Sequence, residues 1–164
     1  MGGSMKGAAL FVSGIVVGAL LLQVGKAQDS RRRGINHIGI STSHYDEALK
    51  FYKDTLGAKE AFTVRNDAGG VRLTYLQLSR DTFVELLPAA AGQPTGITHV
   101  GIETGDVLGS VANLRAHGFK VDDPTTGVSK ARVGRISDPD GVALEIMEIG
   151  PDSLQGKAVA AWKQ

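Results

Sequence analysis

One short pattern occurs twice in this chain of 164 residues, and a duplication of this kind limits the fold more tightly than composition does. The first copy opens with Asn36-His37-Ile38-Gly39-Ile40 and closes with Phe83-Val84-Glu85-Leu86-Leu87. The second opens with Thr98-His99-Val100-Gly101-Ile102 and closes with Ala143-Leu144-Glu145-Ile146-Met147. The histidines are 62 residues apart (99 − 37) and the glutamates 60 (145 − 85). Two imidazoles and two carboxylates, one pair per copy, make a four-ligand metal site if the copies pack around a pseudo-twofold axis.

The elements between these marks repeat as well. Ile35 to Ser41 alternates and is rich in Ile, which reads as a strand. Thr42 or Ser43 can cap a helix running to about Leu56, with Asp46 and Glu47 in its first turn and Gly57 as its stop. Ala48, Leu49, Phe51, Tyr52 and Leu56 form its apolar stripe. Strands follow over Ala58 to Arg65, Val71 to Leu78 and Thr82 to Leu87, separated by the turn clusters at 66–70 and 79–81. After the linker at 88–96 the order restarts. It predicts a strand over Ile97 to Glu103, a helix from Asp106 to His117, then strands over Phe119 to Asp122, Ala131 to Ser137 and Val142 to Ile149. Asp138-Pro139-Asp140-Gly141 is the hairpin turn before the last strand. Each module is βαβββ, at 35–87 and 97–149, within one α+β domain spanning 35–149. The tail at 150–164 predicts a short helix that lays Trp162 on the domain surface.

Side chains alternate across a strand, so His37 shares a face with Gly39, and His99 with Gly101. A carboxylate inside an apolar strand is costly to bury unless it is paired or holds a metal. Glu85 and Glu145 occupy such positions in both modules. A single strand His or Glu would be unremarkable as a hydrogen-bonded or solvated residue; the repeat-related quartet favours a metal. Two His and two Glu suit Zn, Ni, Co, Mn or Fe(II), with positions left open for water or substrate oxygens. Such an ion polarises a carbonyl and stabilises an enolate, and a ligating glutamate that swings away can act as base at the neighbouring carbon. His44 and His117 sit at helix ends and stay outside the site.

Residues 1–27 have the form of a secretory signal peptide. Lys6 is the positive region, Ala8 to Val24 the apolar run and Gly25-Lys26-Ala27 a small-residue cleavage site. The expectation is an exported protein, periplasmic or secreted. The alternative is an N-terminal membrane anchor that is retained. Residues 28–34 are then a basic linker. Its three arginines, Arg31 to Arg33, are too few for a nucleic-acid footprint, net charge is only +1, and no nucleic-acid partner is expected. Cys is absent, so an oxidising compartment neither helps nor harms the fold.

Between Gly34 and Ile149 the chain resembles the vicinal oxygen chelate superfamily, the glyoxalase, bleomycin-resistance and extradiol-dioxygenase group. The matching residues are Asn36 to Ile40, Asp46 to Tyr52 with Leu56-Gly57, Glu85-Leu86, His99 to Ile102, and Ser137 to Gly141 leading to Glu145. The resemblance implies paired βαβββ modules whose mixed sheet curves into a metal-holding cup. It implies His37, Glu85, His99 and Glu145 as ligands, Glu145 as the base of a glyoxalase-like enzyme with Glu85 as its counterpart, a small-molecule substrate, and pairing of modules that can extend to a homodimer. Tyr75 and Arg135, 60 residues apart (135 − 75), are candidate substrate contacts in the cup, although both could be simple exposed strand residues. Ser41 stands where glyoxalase I carries an Arg for the glutathione carboxylate, so glutathione chemistry is not implied. The expected activity is a metal-assisted proton transfer of lyase or isomerase type on a small carbonyl or oxygenated substrate. The alternatives are an Fe(II) ring-cleaving dioxygenase and a non-enzymatic binding protein of the resistance type.

Overall fold

A computed structural model describes residues 34–163. The segment read as a signal peptide or anchor, and most of the basic linker, lie outside the described residues. No helix among the described residues is long and apolar enough to cross a membrane.

The first module supplies β1 (Gly34–Thr42), α1 (Tyr45–Lys50), β2 (Lys59–Arg65), β3 (Val71–Ser79) and β4 (Thr82–Pro88). The second supplies β5 (Gly96–Glu103), α2 (Val107–Ala116), β6 (Thr125–Thr126), β7 (Arg132–Ser137) and β8 (Ala143–Glu148), and the tail adds α3 (Leu154–Ala161). All strands join one curved mixed sheet in the order β2-β3-β4-β1-β5-β8-β7-β6. Read outward from the centre, the two halves repeat each other. β1 pairs in parallel with β4, β5 in parallel with β8, and β1 and β5 meet antiparallel in the middle. The pseudo-twofold axis required by the repeat therefore passes through the β1–β5 seam.

Alternation divides the sheet into two faces. One face carries the buried Leu76, Val84 and Leu86, against which Tyr45, Ala48, Leu49 and Tyr52 of the first helix pack. Fully burying each such aliphatic side chain stabilises the fold by about 1.5–3 kcal/mol. In the second half the buried Val107 and Val111 of α2 take that place. Gly134 of β7 lets α2 approach, because a Cβ there would lie 2.8 Å from a Val111 methyl. The other face carries Leu73, Tyr75 and Phe83 in the first half and Val133 and Met147 in the second. The ligand candidates share this inner face.

The local forms differ from expectation in three places. The strand expected over Phe119 to Asp122 does not form; its counterpart is the two-residue β6 at Thr125–Thr126. Pro124 has no N–H to offer a ladder, and the run Asp122-Asp123 before it has poor strand propensity. Neither Thr42 nor Ser43 caps the first helix through its side chain: His44 is the N-cap, and Thr42 Oγ1 instead accepts from the His44 N–H at 3.1 Å. That helix also ends in a π-helical turn at Phe51–Thr55, closed by a bond from Leu56 N–H to the Phe51 carbonyl (3.2 Å). The second helix begins as read, with Asp106 Oδ1 accepting from Gly109 N–H at 2.8 Å.

The tail helix is capped by Ser153, whose Oγ accepts from Gly156 N–H at 3.0 Å. Its Ala158 and Val159 pack on the cluster of Leu73, Tyr75 and Phe83, so it covers the inner face of the first module. Trp162 is half-buried beneath Lys59, whose ammonium lies 4.3 Å from the ring centroid.

Candidate metal centre

The ladder registers explain how four residues from four strands meet. Across the sheet, Tyr75 pairs with Glu85, Glu85 with Gly39, and Gly39 with His99. The second row is its repeat: Arg135 with Glu145, Glu145 with Gly101, and Gly101 with His37. Each glutamate is thus aligned with the histidine of the other module. Neither module can assemble the group alone, and the seam is where it forms, within one chain.

Gly39 and Gly101 make this possible, although not in the way their positions first suggest. Each leaves room for the imidazole that comes from the opposite module. A Cβ on Gly39 would overlap the His99 ring, and one on Gly101 would overlap the His37 ring. Only a residue without a side chain permits that approach between strands.

The resulting group is compact. His37 Nε2 and His99 Nε2 are 2.9 Å apart. Glu85 Oε2 lies 2.8 Å from His99 Nε2 and 3.5 Å from His37 Nε2. Glu145 Oε2 lies 3.9 and 4.0 Å from the same two nitrogens. His37, Glu85 and His99 form a set whose ligand atoms all lie within 4.8 Å of one another, and Glu145 stands on its fourth side. Ligands held about 2.0–2.2 Å from a first-row divalent ion are spaced on this scale, so the donor set fits such an ion.

Both rings are oriented by the residue that precedes them. β1 bulges at Asn36, where two of its residues oppose one on β5, and β5 bulges in the same way at Thr98. The bulges turn these side chains toward the ring beside them: Asn36 Oδ1 is 3.2 Å from His37 Nδ1, and Thr98 Oγ1 is 3.0 Å from His99 Nδ1. Asn36 Nδ2 in turn donates to Glu103 Oε2 and to the Asp81 carbonyl, both at 3.4 Å. With a proton on each Nδ1 the Nε2 lone pairs face the cluster, which is the tautomer a metal requires. Sequence reasoning missed Asn36 and Thr98; a hydrogen-bonding side chain directly before each repeat histidine was the available signal.

The two halves differ in protonation as well as exposure. Burial drives the His37 pKa down to about 4, against the pull of Glu85. Burial also works against a charged His99, but the Glu85 hydrogen bond and the charges of Glu85 and Glu145 outweigh it and raise that pKa. Tyr75 is deeply buried, stacked on Phe62 (centroids 4.8 Å) and tilted against His37 (5.3 Å). Desolvation and the nearby Glu85 carboxylate push its phenol well above its ordinary pKa, with the Gln155 amide of α3 beside it. Gln155 also ties α3 to the β6–β7 turn, its Nε2 donating to Ser129 Oγ at 3.0 Å. Of the two candidate substrate contacts, Tyr75 is therefore enclosed behind His37, whereas the Arg135 side chain is 61% exposed and holds Glu145 Oε1 at 3.0 Å. A cleft of about 450 Å³ opens on this side, lined by His99, Lys120, Arg135 and Glu145 among others.

Comparison with known proteins agrees with this architecture. Residues 34–146 match the model of the Glyoxalase/Bleomycin resistance protein/Dioxygenase superfamily. No curated protein matches the chain. Among solved structures, methylmalonyl-CoA epimerase from Mycobacterium tuberculosis superposes with a TM-score of 0.65 at 24% identity, over 80% of this chain and 95% of the other. A methylmalonyl-CoA epimerase from Streptomyces coelicolor, in complex with 2-nitronate-propionyl-CoA, gives 0.59 at 27% identity, over 71% and 97%. A methylmalonyl-CoA epimerase in complex with methylmalonyl-CoA and NH4+ gives 0.61 at 25% identity, over 74% and 98%. The chain belongs to the Glyoxalase/Bleomycin resistance protein/Dioxygenase superfamily.

Proposed function

We propose that this chain is a divalent-metal enzyme that moves a proton at the carbon beside a carbonyl of a small oxygenated substrate. The observation that carries the reading is the convergence of His37, Glu85, His99 and Glu145 at the β1–β5 seam. A divalent ion held there would polarise the carbonyl and lower the cost of the enolate.

The two glutamates are unequally placed for the remaining work. Glu85 is buried and bonded to His99, which suits a fixed ligand. Glu145 lies farther from both imidazoles, lines the open cleft and is the more exposed of the two carboxylates. It is the base in this reading, taking the proton from the substrate carbon and returning it to the same or the neighbouring carbon. The epimerases among the structural neighbours support the isomerase form over the lyase form. A base in such a position contributes about 10²- to 10⁴-fold.

The test is solvent-deuterium uptake at the carbon beside the carbonyl, followed by NMR with zinc-, cobalt- or nickel-loaded protein and methylmalonyl-CoA or lactaldehyde as probes. Uptake with either probe, lost in Glu145→Gln, is the expected result. No uptake with any of the ions would count against it.

One observation favours a second reading. His37, His99 and Glu85 are two imidazoles and one carboxylate, the ligand set of non-haem Fe(II) oxygenases. Oxygen consumption by iron-loaded protein with a catechol would support that reading, and its absence would remove it. Export or membrane anchoring through residues 1–27 is proposed as well; fractionation of cells carrying the full chain, with and without those residues, tests it.

A further inference from the structure

α3 covers the inner face of the first module, and a cleft beside β7 and β8 opens on the second. Two cationic side chains, Arg135 and Lys120, line that cleft, together with Thr98, Ser137 and Leu144. As the chain stands, Arg135 is neutralised by Glu145, its Nε 3.0 Å from Oε1. The other oxygen of the same carboxylate faces the imidazole pair. Glu145 is therefore shared between a cation at the mouth and the position of a cation at the seam.

We infer that the cleft takes the carboxylate of a small organic acid, and that a divalent ion at the seam switches this anion site on by drawing Glu145 away from Arg135. The inference rests on the metal reading of the seam. The charges balance as follows. Two glutamates offset the charge of one divalent ion and the imidazoles are neutral as ligands, which leaves Arg135 and Lys120 facing the cleft without a counter-charge. Without the ion, the carboxylate of Glu145 occupies the guanidinium. An arginine freed in this way offers a planar fork of donors matched to a carboxylate. By linkage, the anion must tighten ion binding by the same factor by which the ion tightens anion binding.

Lactate and lactamide separate charge from shape, since they differ mainly in the carboxylate. NMR titration of both into zinc-loaded and zinc-free protein is the test, with the wild type, Arg135→Gln and Lys120→Ala. Zinc-loaded wild type is expected to bind lactate at least about tenfold more tightly than lactamide, and lactate to tighten zinc binding by a similar factor. Zinc-free protein should keep only the smaller part of it that Lys120 supplies. Arg135→Gln should bind zinc yet lose most of the preference, and Lys120→Ala should lose a smaller part of it. Equal binding of the two probes by zinc-loaded protein, binding of neither, or a preference undiminished in Arg135→Gln would overturn the inference while leaving the metal centre intact. Failure of the wild type to bind zinc would instead refute the metal reading beneath it.

Discussion

The two modules share one template but have become unlike where they meet the site. In the first, His37, Tyr75 and Glu85 are buried, and α3 lies over Tyr75 and Phe83. In the second, His99 and Glu145 are partly exposed and Arg135 reaches solvent. The backbone registers that deliver the ligands are the same in both halves, Gly39 beside Glu85 and Gly101 beside Glu145. Duplication thus accounts for the repeated quartet, and the unequal surroundings account for the division of labour proposed for it. The closed half holds a histidine kept neutral by burial and a fixed carboxylate. The open half holds the more exposed carboxylate and the cleft it lines.

Substituting the paired glutamates is the strongest way to break that comparison. Glu85→Ala removes a buried member of the compact triad and is expected to lower zinc affinity by more than the roughly 10- to 100-fold that outer-shell changes cost. Glu145→Ala should lower it less, while abolishing proton transfer. Calorimetric zinc titration of both variants measures the difference; equal losses would contradict the assignment of fixed and mobile carboxylates.

Gly39→Ala and Gly101→Ala should follow in size. Each Cβ would press on an imidazole from the other module, and overpacking of this kind costs about 1–3 kcal/mol. Gly101→Ala, which crowds the buried His37, is expected to be the worse, as read by chemical denaturation. Asn36→Ala and Thr98→Ala come next. Both should weaken zinc binding by about 10- to 100-fold, Asn36→Ala more so because its ring partner has no access to water.

A further difference lies in pH, where the two histidines act with opposite sign. His37 titrates at about 4 in the fold against an ordinary value of 6.5, so its contribution to stability is present above 6.5 and is lost as pH falls toward 4. His99 has a raised pKa, so its contribution is complete below 6.5 and is lost as pH rises through the folded value. Zinc-free protein should therefore melt at its highest temperature near pH 6.5 as far as this pair decides it. Thermal melts from pH 4 to 8, compared with His99→Gln, should show the alkaline limb vanish in the variant.

Much of this was legible in the sequence because the repeat fixed it. The spacing of His37 and His99, and of Glu85 and Glu145, specifies equivalent strands, and paired βαβββ modules follow from the order of turns and periodicities. Crossed pairing between modules was not legible, since it depends on which strand lies beside which. The same limit applies to Gly39 and Gly101, whose partners are across the seam and not beside them in the chain. Bulges at Asn36 and Thr98 left no periodicity signal because they displace single residues. The shortened β6 was obscured by Phe119 and Val121, whose apolar character suggested a strand that Pro124 and the paired aspartates do not support. The cover provided by α3 depends on a tertiary contact of Ala158 and Val159, residues too small to announce it.

Metal content decides whether the β1–β5 seam holds an ion. Elemental analysis of the purified chain after reconstitution with divalent ions and removal of the excess, beside His37→Ala, is the measurement. About one ion per chain is expected in the wild type, with a large loss in the variant. An ion-free wild type, or equal occupancy in the two proteins, would contradict a metal centre at the β1–β5 seam.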